Sequence, residues 1–68
     1  EMSLYRMSEA DLRAYAREHG LHNGSIDTLV LKVKHDLTWQ EIAKQTGYSY
    51  SGVRHHRQTI IKRLGVKI

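Results

Sequence analysis

Two amphipathic segments flanking one glycine, between Thr38 and Leu64, constrain this chain more than any other feature. Thr38 is a good helix N-cap, and Glu41 follows at the position from which a carboxylate reaches back to the cap's own N–H. Trp39, Ile42 and Ala43 put apolar groups on one side of a short helix. Trp39 is expected to be buried there rather than to serve as an exposed stacking platform. Gly47 can take the left-handed backbone conformation that ends a helix, because it has no Cβ to clash. Ser49 or Ser51 can cap the helix that follows. In that helix Val53, His56, Ile60 and Leu64 recur at helical spacing and are expected to face inward, with His56 a packed core histidine. Arg54, His55, Arg57 and Gln58 fall on other faces.

A small residue at Ala43, a glycine at Gly47 and a β-branched residue at Val53 match a helix-turn-helix. Two helices crossing at roughly 90–120° leave room only for a small side chain where they touch. The turn needs a residue tolerant of positive φ, and the second helix needs an apolar anchor against the first. An ordinary helical hairpin with a glycine cap satisfies the same three positions.

The run from Glu41 to Val66 resembles the DNA-binding domain of the LuxR-type (GerE-like) transcription regulators. The residues that carry the resemblance are Glu41, Ile42 and Ala43, then Ser49, Val53, Arg54 and His56, then Ile60, Arg63, Leu64, Gly65 and Val66, in one register without a gap. They cover under half of the chain. Gly52 departs from the pattern, standing where a helix former is usual and weakening the first turn of the second helix. The fourth helix, which that family uses for dimer contacts, has no counterpart before Ile68. The resemblance implies a DNA-binding module in which Arg54, His55 and Gln58 lie at or near the bases.

Charge placement agrees with a polyanionic partner. The net charge is +4 over 68 residues, but all seven Asp and Glu lie at or before Glu41. Residues 1–41 carry five basic against seven acidic groups, whereas residues 42–68 carry six basic groups (Lys44, Arg54, Arg57, Lys62, Arg63, Lys67) and no acid. A solvated basic face is the plain alternative; coincidence of the charge with the motif favours nucleic acid. There is no cysteine, so neither a disulfide nor a Cys-based zinc site is available, and a chain this small buries only about 60% of its unfolded surface. No apolar run approaches a membrane span and no signal-peptide pattern is present, so a cytoplasmic protein without membrane contact is the expectation.

The remaining chain reads as support. The expected architecture is all-α, a small bundle of about four helices in one domain spanning 1–68. Residues 1–7 form a loose lead-in that Leu4, Tyr5 and Met7 can pin to the core, and Glu1 is assigned no function. Residues 8–24 hold an extra helix and a loop. Ser8 caps that helix with Asp11 three residues on, Leu12, Tyr15, Ala16 and His19 form its apolar stripe, Glu9 and Arg13 pair across a turn, and Gly20 ends it. Asn23-Gly24 signals a turn in the Leu21–Gly24 loop, and Ser25 caps the next element. Ile26, Leu29, Val30, Val33 and Leu37 follow the pattern of a buried helix face; β-branching over residues 28–34 leaves a strand as the alternative. Beyond Leu64, Gly65 stops the last helix, and Val66 and Ile68 fold back onto the core.

The helix over residues 51–64 is the candidate recognition helix, entering the major groove of double-stranded DNA. Arg54, one residue past the buried Val53, should reach base edges, where its fork matches guanine; His55 and Gln58 share that exposed face, and Gln58 can pair with adenine. Backbone contacts are assigned to Thr38 with the amides of its helix start, to the hydroxyls of Ser49, Tyr50 and Ser51, and to the charges of Lys44, Arg57, Lys62 and Arg63. Tyr48 can equally pack beside the turn. His55 and His56 are adjacent and point apart, and His19 with His22 makes a poor metal site without Cys or a nearby acid. No cofactor and no catalytic constellation is recognisable, so an enzyme is not expected. Three functions share this reading: a prokaryotic or phage transcription regulator, a DNA-targeting module of a recombination, packaging or conjugation protein, and a module docking on RNA polymerase. A homodimer would gain a second half-site, and the N-terminal helix is the expected dimer surface.

Overall fold

The computed structural model describes residues 3–68; Glu1 and Met2, and the expectation for Glu1 with them, lie outside the described residues. Four helices follow one short 3₁₀ turn: Leu4–Arg6, then α1 (Glu9–Glu18), α2 (Asn23–Val33), α3 (Trp39–Thr46) and α4 (Tyr50–Leu64). No strand occurs among the described residues, so the β-branched stretch before Lys34 is helical. Packing decides this, because Ile26, Leu29, Val30 and Val33 all bury on one side of α2.

The starts of α1, α3 and α4 each have a local cause. The Ser8 hydroxyl accepts the Asp11 N–H at 3.1 Å, and Glu9 and Asp11 place negative charge at the positive end of α1. Thr38 closes a full reciprocal box at the head of α3: its Oγ1 accepts the Glu41 N–H at 3.1 Å, and its own N–H donates to the Glu41 carboxylate at 2.9 Å. The Glu41 carboxyl is held below the usual carboxylate range, chiefly by the Thr38 backbone N–H and next by the Thr38 side-chain hydroxyl. Ser49, rather than Ser51, caps α4, accepting the Gly52 N–H at 3.0 Å. Gly47 stands between α3 and α4 with φ 80°, a conformation that costs a side-chain-bearing residue but not glycine.

The core forms where α2 meets α1 and α4. Leu4, Leu12, Ala16, Leu21, Ile26, Leu29, Val30, Val33 and Ile60 make one buried cluster, with Met7, Tyr15, Leu64, Val66 and Ile68 packed on its margin. Ile42 of α3 and Val53 of α4 are also fully buried, and α4 packs against both α2 and α3. Arg13 of α1 pairs with Glu9 at 3.3 Å, as its spacing requires, and also reaches Asp27 of α2 at 2.9 Å.

Several local expectations fail for identifiable reasons. The lead-in is ordered where Leu4 buries beneath a 3₁₀ turn, although Tyr5 remains exposed. His19 is not part of the apolar stripe: it lies exposed past the end of α1, its Nδ1 at 2.9 Å from the Tyr15 carbonyl, and Leu21 fills the buried place by bonding back to Ala16. Asn23 and Gly24 do not form a turn; they are the first turn of α2, whose cap is His22. Ser25 is therefore inside the helix and buried, its hydroxyl spent on His56. Leu37 lies beyond α2, half-buried, after Asp36 reverses the chain with φ 53°. Trp39 is half-buried rather than buried, with the Lys32 ammonium 5.0 Å and the Arg57 guanidinium 5.5 Å from its ring centre.

Candidate nucleic-acid interface

Helix α4 has two chemically distinct sides. Val53 and Ile60 are fully buried, and Leu64 and His56 are half-buried beside them. On the opposite side Ser51, Arg54, Gln58 and Lys62 follow one another at helical spacings of three or four residues, His55 lies beside Arg54, and all five are exposed. None of their side chains donates to, or pairs with, another group among the described residues. Arg54, His55 and Gln58 thus share one surface with Ser51 at its N-terminal end and Lys62 at its C-terminal end. Its chemistry is donor-rich and uniformly non-acidic.

The other sequence-assigned residues divide around this stripe. Tyr50 is 48% exposed at the first position of α4. Ser49 lies beside it, with its oxygen already accepting a helix N–H. Arg57 is on one flank and is largely committed: Nε and Nη2 donate to the Ile68 carbonyl at 3.3 and 3.2 Å while the guanidinium lies over Trp39. Arg63 is on the other flank, its Nη1 3.5 Å from where a Gly20 Cβ would sit, hence over the C-terminal end of α1. Lys44 is exposed on α3, and Thr38 is exposed at its N-cap. The capping box leaves the α3 amides of Trp39 and Gln40 open, but it puts the Glu41 carboxylate at the same helix end.

One contact between α2 and α4 has no separate signal in the sequence. His56 Nδ1 lies 2.9 Å from the buried Ser25 hydroxyl, and its ring is 5.2 Å from that of Tyr48. The ring rests directly on Gly24, where a Cβ would come within 2.9 Å of Cε1 and 3.0 Å of Nε2. Burial pushes the imidazole below its ordinary pKa, and the neighbouring His55 pushes it further the same way. His56 thus ties the first half of α4 to the start of α2. Serine and histidine this close suggest a nucleophile and its base, but the hydroxyl is closed off from solvent and serves as a helix-to-helix tie. Lys32 is the other functional candidate that sequence reasoning passed over; on α2 it reads as an ordinary polar-face residue, and only the fold sets it beside Trp39.

No family model, curated protein or solved structure matches this chain.

Proposed function

We propose that the protein binds double-stranded DNA by laying α4 in the major groove, with Arg54, His55 and Gln58 at base edges and Lys62 and Ser51 at flanking phosphates. The observation that carries this reading is the exposed stripe of α4. A groove-reading helix needs donors on its outer side, apolar anchors on its inner side and no carboxylate near the phosphates. The stripe meets all three conditions, and no acidic residue occurs after Glu41. The resemblance of residues 41–66 to the LuxR-type regulators supports assigning the module to a prokaryotic or phage transcription regulator.

Arg57 and Arg63 then act at the edges of the groove, and Lys44 reaches a phosphate from α3. The apolar side of α1 is spent on the core through Leu12 and Ala16. A homodimer built on α1 would therefore meet through its polar outer side. Delivery of a recombination, packaging or conjugation protein would use the same α4 chemistry. A contact with RNA polymerase would fall instead on the acidic side that carries Glu9, Asp11 and Asp27. Selection of bound sequences from a random duplex pool, followed by anisotropy titration, tests the proposal. Enrichment of one motif with an affinity well above the non-specific range of about 10⁻⁴–10⁻⁶ M supports it. No binding to any duplex at low salt refutes it.

A further inference from the structure

Three helices bring Lys32, Trp39 and Arg57 together on the flank of α4. The Lys32 ammonium and the Arg57 guanidinium are each within 5.5 Å of the same indole centre. A ring quadrupole attracts a cation at such a distance, but the two cations also repel each other. The cluster is thus poised to take up negative charge.

The hydrogen-bonding inventory is one-sided. Arg57 uses its Nε–H and one Nη2–H on the Ile68 carbonyl. That leaves its other N–H groups free and fixes the plane in which they point. The Lys32 ammonium has no hydrogen-bond or ion-pair partner among the described residues. The Trp39 indole N–H, a donor that cannot accept, has none either. No buried side-chain nitrogen or oxygen lacks a partner among the described residues, so that N–H opens to solvent. Glu41, the carboxylate that feels the Lys32 charge, accepts the Thr38 N–H through Oε1 at 2.9 Å. Every free polar group of Lys32, Trp39 and Arg57 donates, and the two charged side chains are positive. The ligand that satisfies them is an anion with several acceptor oxygens on one centre.

We infer that Lys32, Trp39 and Arg57 form a phosphate-binding cluster that grips one phosphodiester of the duplex whose groove α4 enters. Arg57 lies one helical turn beyond Arg54, so a phosphate held here sits beside the bases that Arg54 faces. The inference rests on the DNA reading for its source of phosphate, and on the cluster alone for its chemistry. Arg57 is preorganised by the Ile68 carbonyl and Trp39; Lys32 supplies the mobile charge. Lys32 stands outside the helix-turn-helix, which makes α2 a part of the interface rather than support alone.

The experiment measures the salt dependence of duplex affinity for the wild type, Lys32→Gln and Lys34→Gln. Lys34, the C-cap of the same helix, is the control, its ammonium donating to the Tyr5 carbonyl at 3.0 Å. Lys32→Gln is expected to weaken all duplexes alike and to make the slope of log K against log salt shallower by about one. Lys34→Gln is expected to leave the slope unchanged. Trp39 emission, from the only tryptophan, is expected to shift on DNA addition in the wild type and to shift less in Lys32→Gln. Full wild-type binding with an unchanged slope in Lys32→Gln overturns the cluster and leaves the DNA reading standing, and so does an equal change in both lysine variants. A wild type that binds no duplex overturns the DNA reading. Inorganic phosphate, titrated at constant ionic strength, then decides the cluster separately. A Trp39 response that Lys32→Gln abolishes supports a site for free phosphate; no response overturns it.

Discussion

Replacing Gly24 with alanine sets two effects of opposite sign against each other. In a helix the change normally stabilises, by at most about 1 kcal/mol, because glycine has more backbone freedom to lose. Here the new Cβ would lie 2.9 Å from His56 Cε1, 3.0 Å from Nε2 and 3.2 Å from the Tyr48 hydroxyl. Carbon contacts are favourable near 3.5–4.0 Å, so the imidazole must retreat by roughly 0.5–1 Å. It cannot do so freely, since its Nδ1 is tied to Ser25 at 2.9 Å. If that bond breaks, a 3%-exposed hydroxyl loses its partner, at a cost of about 1–3 kcal/mol. If the bond holds, overpacking strain of about 1–3 kcal/mol replaces it. Either route exceeds the propensity gain, and the expected net loss is about 1–2 kcal/mol. In a domain of this size that lowers Tm by roughly 5–15 °C, measurable by circular dichroism. Gly52→Ala is the internal comparison. Its Cβ would meet Ser49 Oγ, the cap of α4, at 3.3 Å and Tyr48 Cβ at 3.8 Å, so a shift of a few tenths of an ångström in that cap offsets part of the propensity gain and Tm should hold or rise slightly. In a His56→Ala background Gly24→Ala should become stabilising too, because the ring it strikes is gone. A Gly24→Ala protein as stable as Gly52→Ala would refute the lock between α2 and α4.

Arg54→Ala should cost about 1–3 kcal/mol of specific binding and relax sequence preference at one position, read by selection and anisotropy; unaltered specificity would remove Arg54 from the bases. Lys62→Ala should weaken every duplex by the same factor and flatten the salt slope by about one, so an unchanged slope would place Lys62 away from phosphate. His56 is held below its ordinary pKa of 6.5 when folded, so the folded state binds its proton less readily than the unfolded chain. Its contribution to stability is therefore complete above pH 6.5 and is lost as pH falls through the folded value. The Tm drop from pH 7.5 to 5 should be smaller in His56→Gln than in the wild type, and equal drops would count against it. Asp36→Gly should stabilise by up to about 1 kcal/mol by relieving a positive φ of 53°, with chemical denaturation as the measurement.

What the sequence makes legible is whatever depends on neighbours within a turn or two. Ser8, Thr38 and Ser49 cap helices because a hydroxyl and an N–H three residues on are close by construction. The inner side of α4 follows from Val53 and Ile60 at a spacing of seven. The same spacing puts Arg54, His55, Gln58 and Lys62 outside together, so the four helices and the candidate stripe can be read before any coordinates. Errors fall where a tertiary contact overrules a local preference. Asn23-Gly24 has the chemistry of a turn and Ser25 that of a cap, yet α2 starts three residues earlier than the serine suggests. The override has an identifiable source, because starting there buries Ser25 against His56 and puts a glycine under its ring. His19 and Leu21 make the same point at the other end of the loop: Leu21 is the better apolar partner for the core and displaces a histidine that periodicity favoured.

The same distinction bears on how the stripe works. A recognition helix is useful only if its roll and tilt are fixed, since a rotation of one residue, about 100°, would turn Arg54 away from the groove. The apolar anchors Val53 and Ile60 resist separation, but hydrophobic contact is non-directional and sets roll weakly. Directional restraint comes from polar ties on either flank. His56 bonds Ser25 on α2, and Arg57 bonds the Ile68 carbonyl while stacking on Trp39 of α3. These two residues are consecutive, so they leave the helix on different sides and brace it against rotation in both senses. Their neighbours Arg54, His55 and Gln58 are left free of internal partners. Breaking either tie should therefore lower specific binding more than non-specific binding, because the charge on α4 survives while the aim of Arg54 does not. For Ser25→Ala, which removes the tie and no charge, the ratio of specific to non-specific affinity should fall with the salt slope intact. A ratio that stays constant would mean that the apolar anchors alone hold the helix in register.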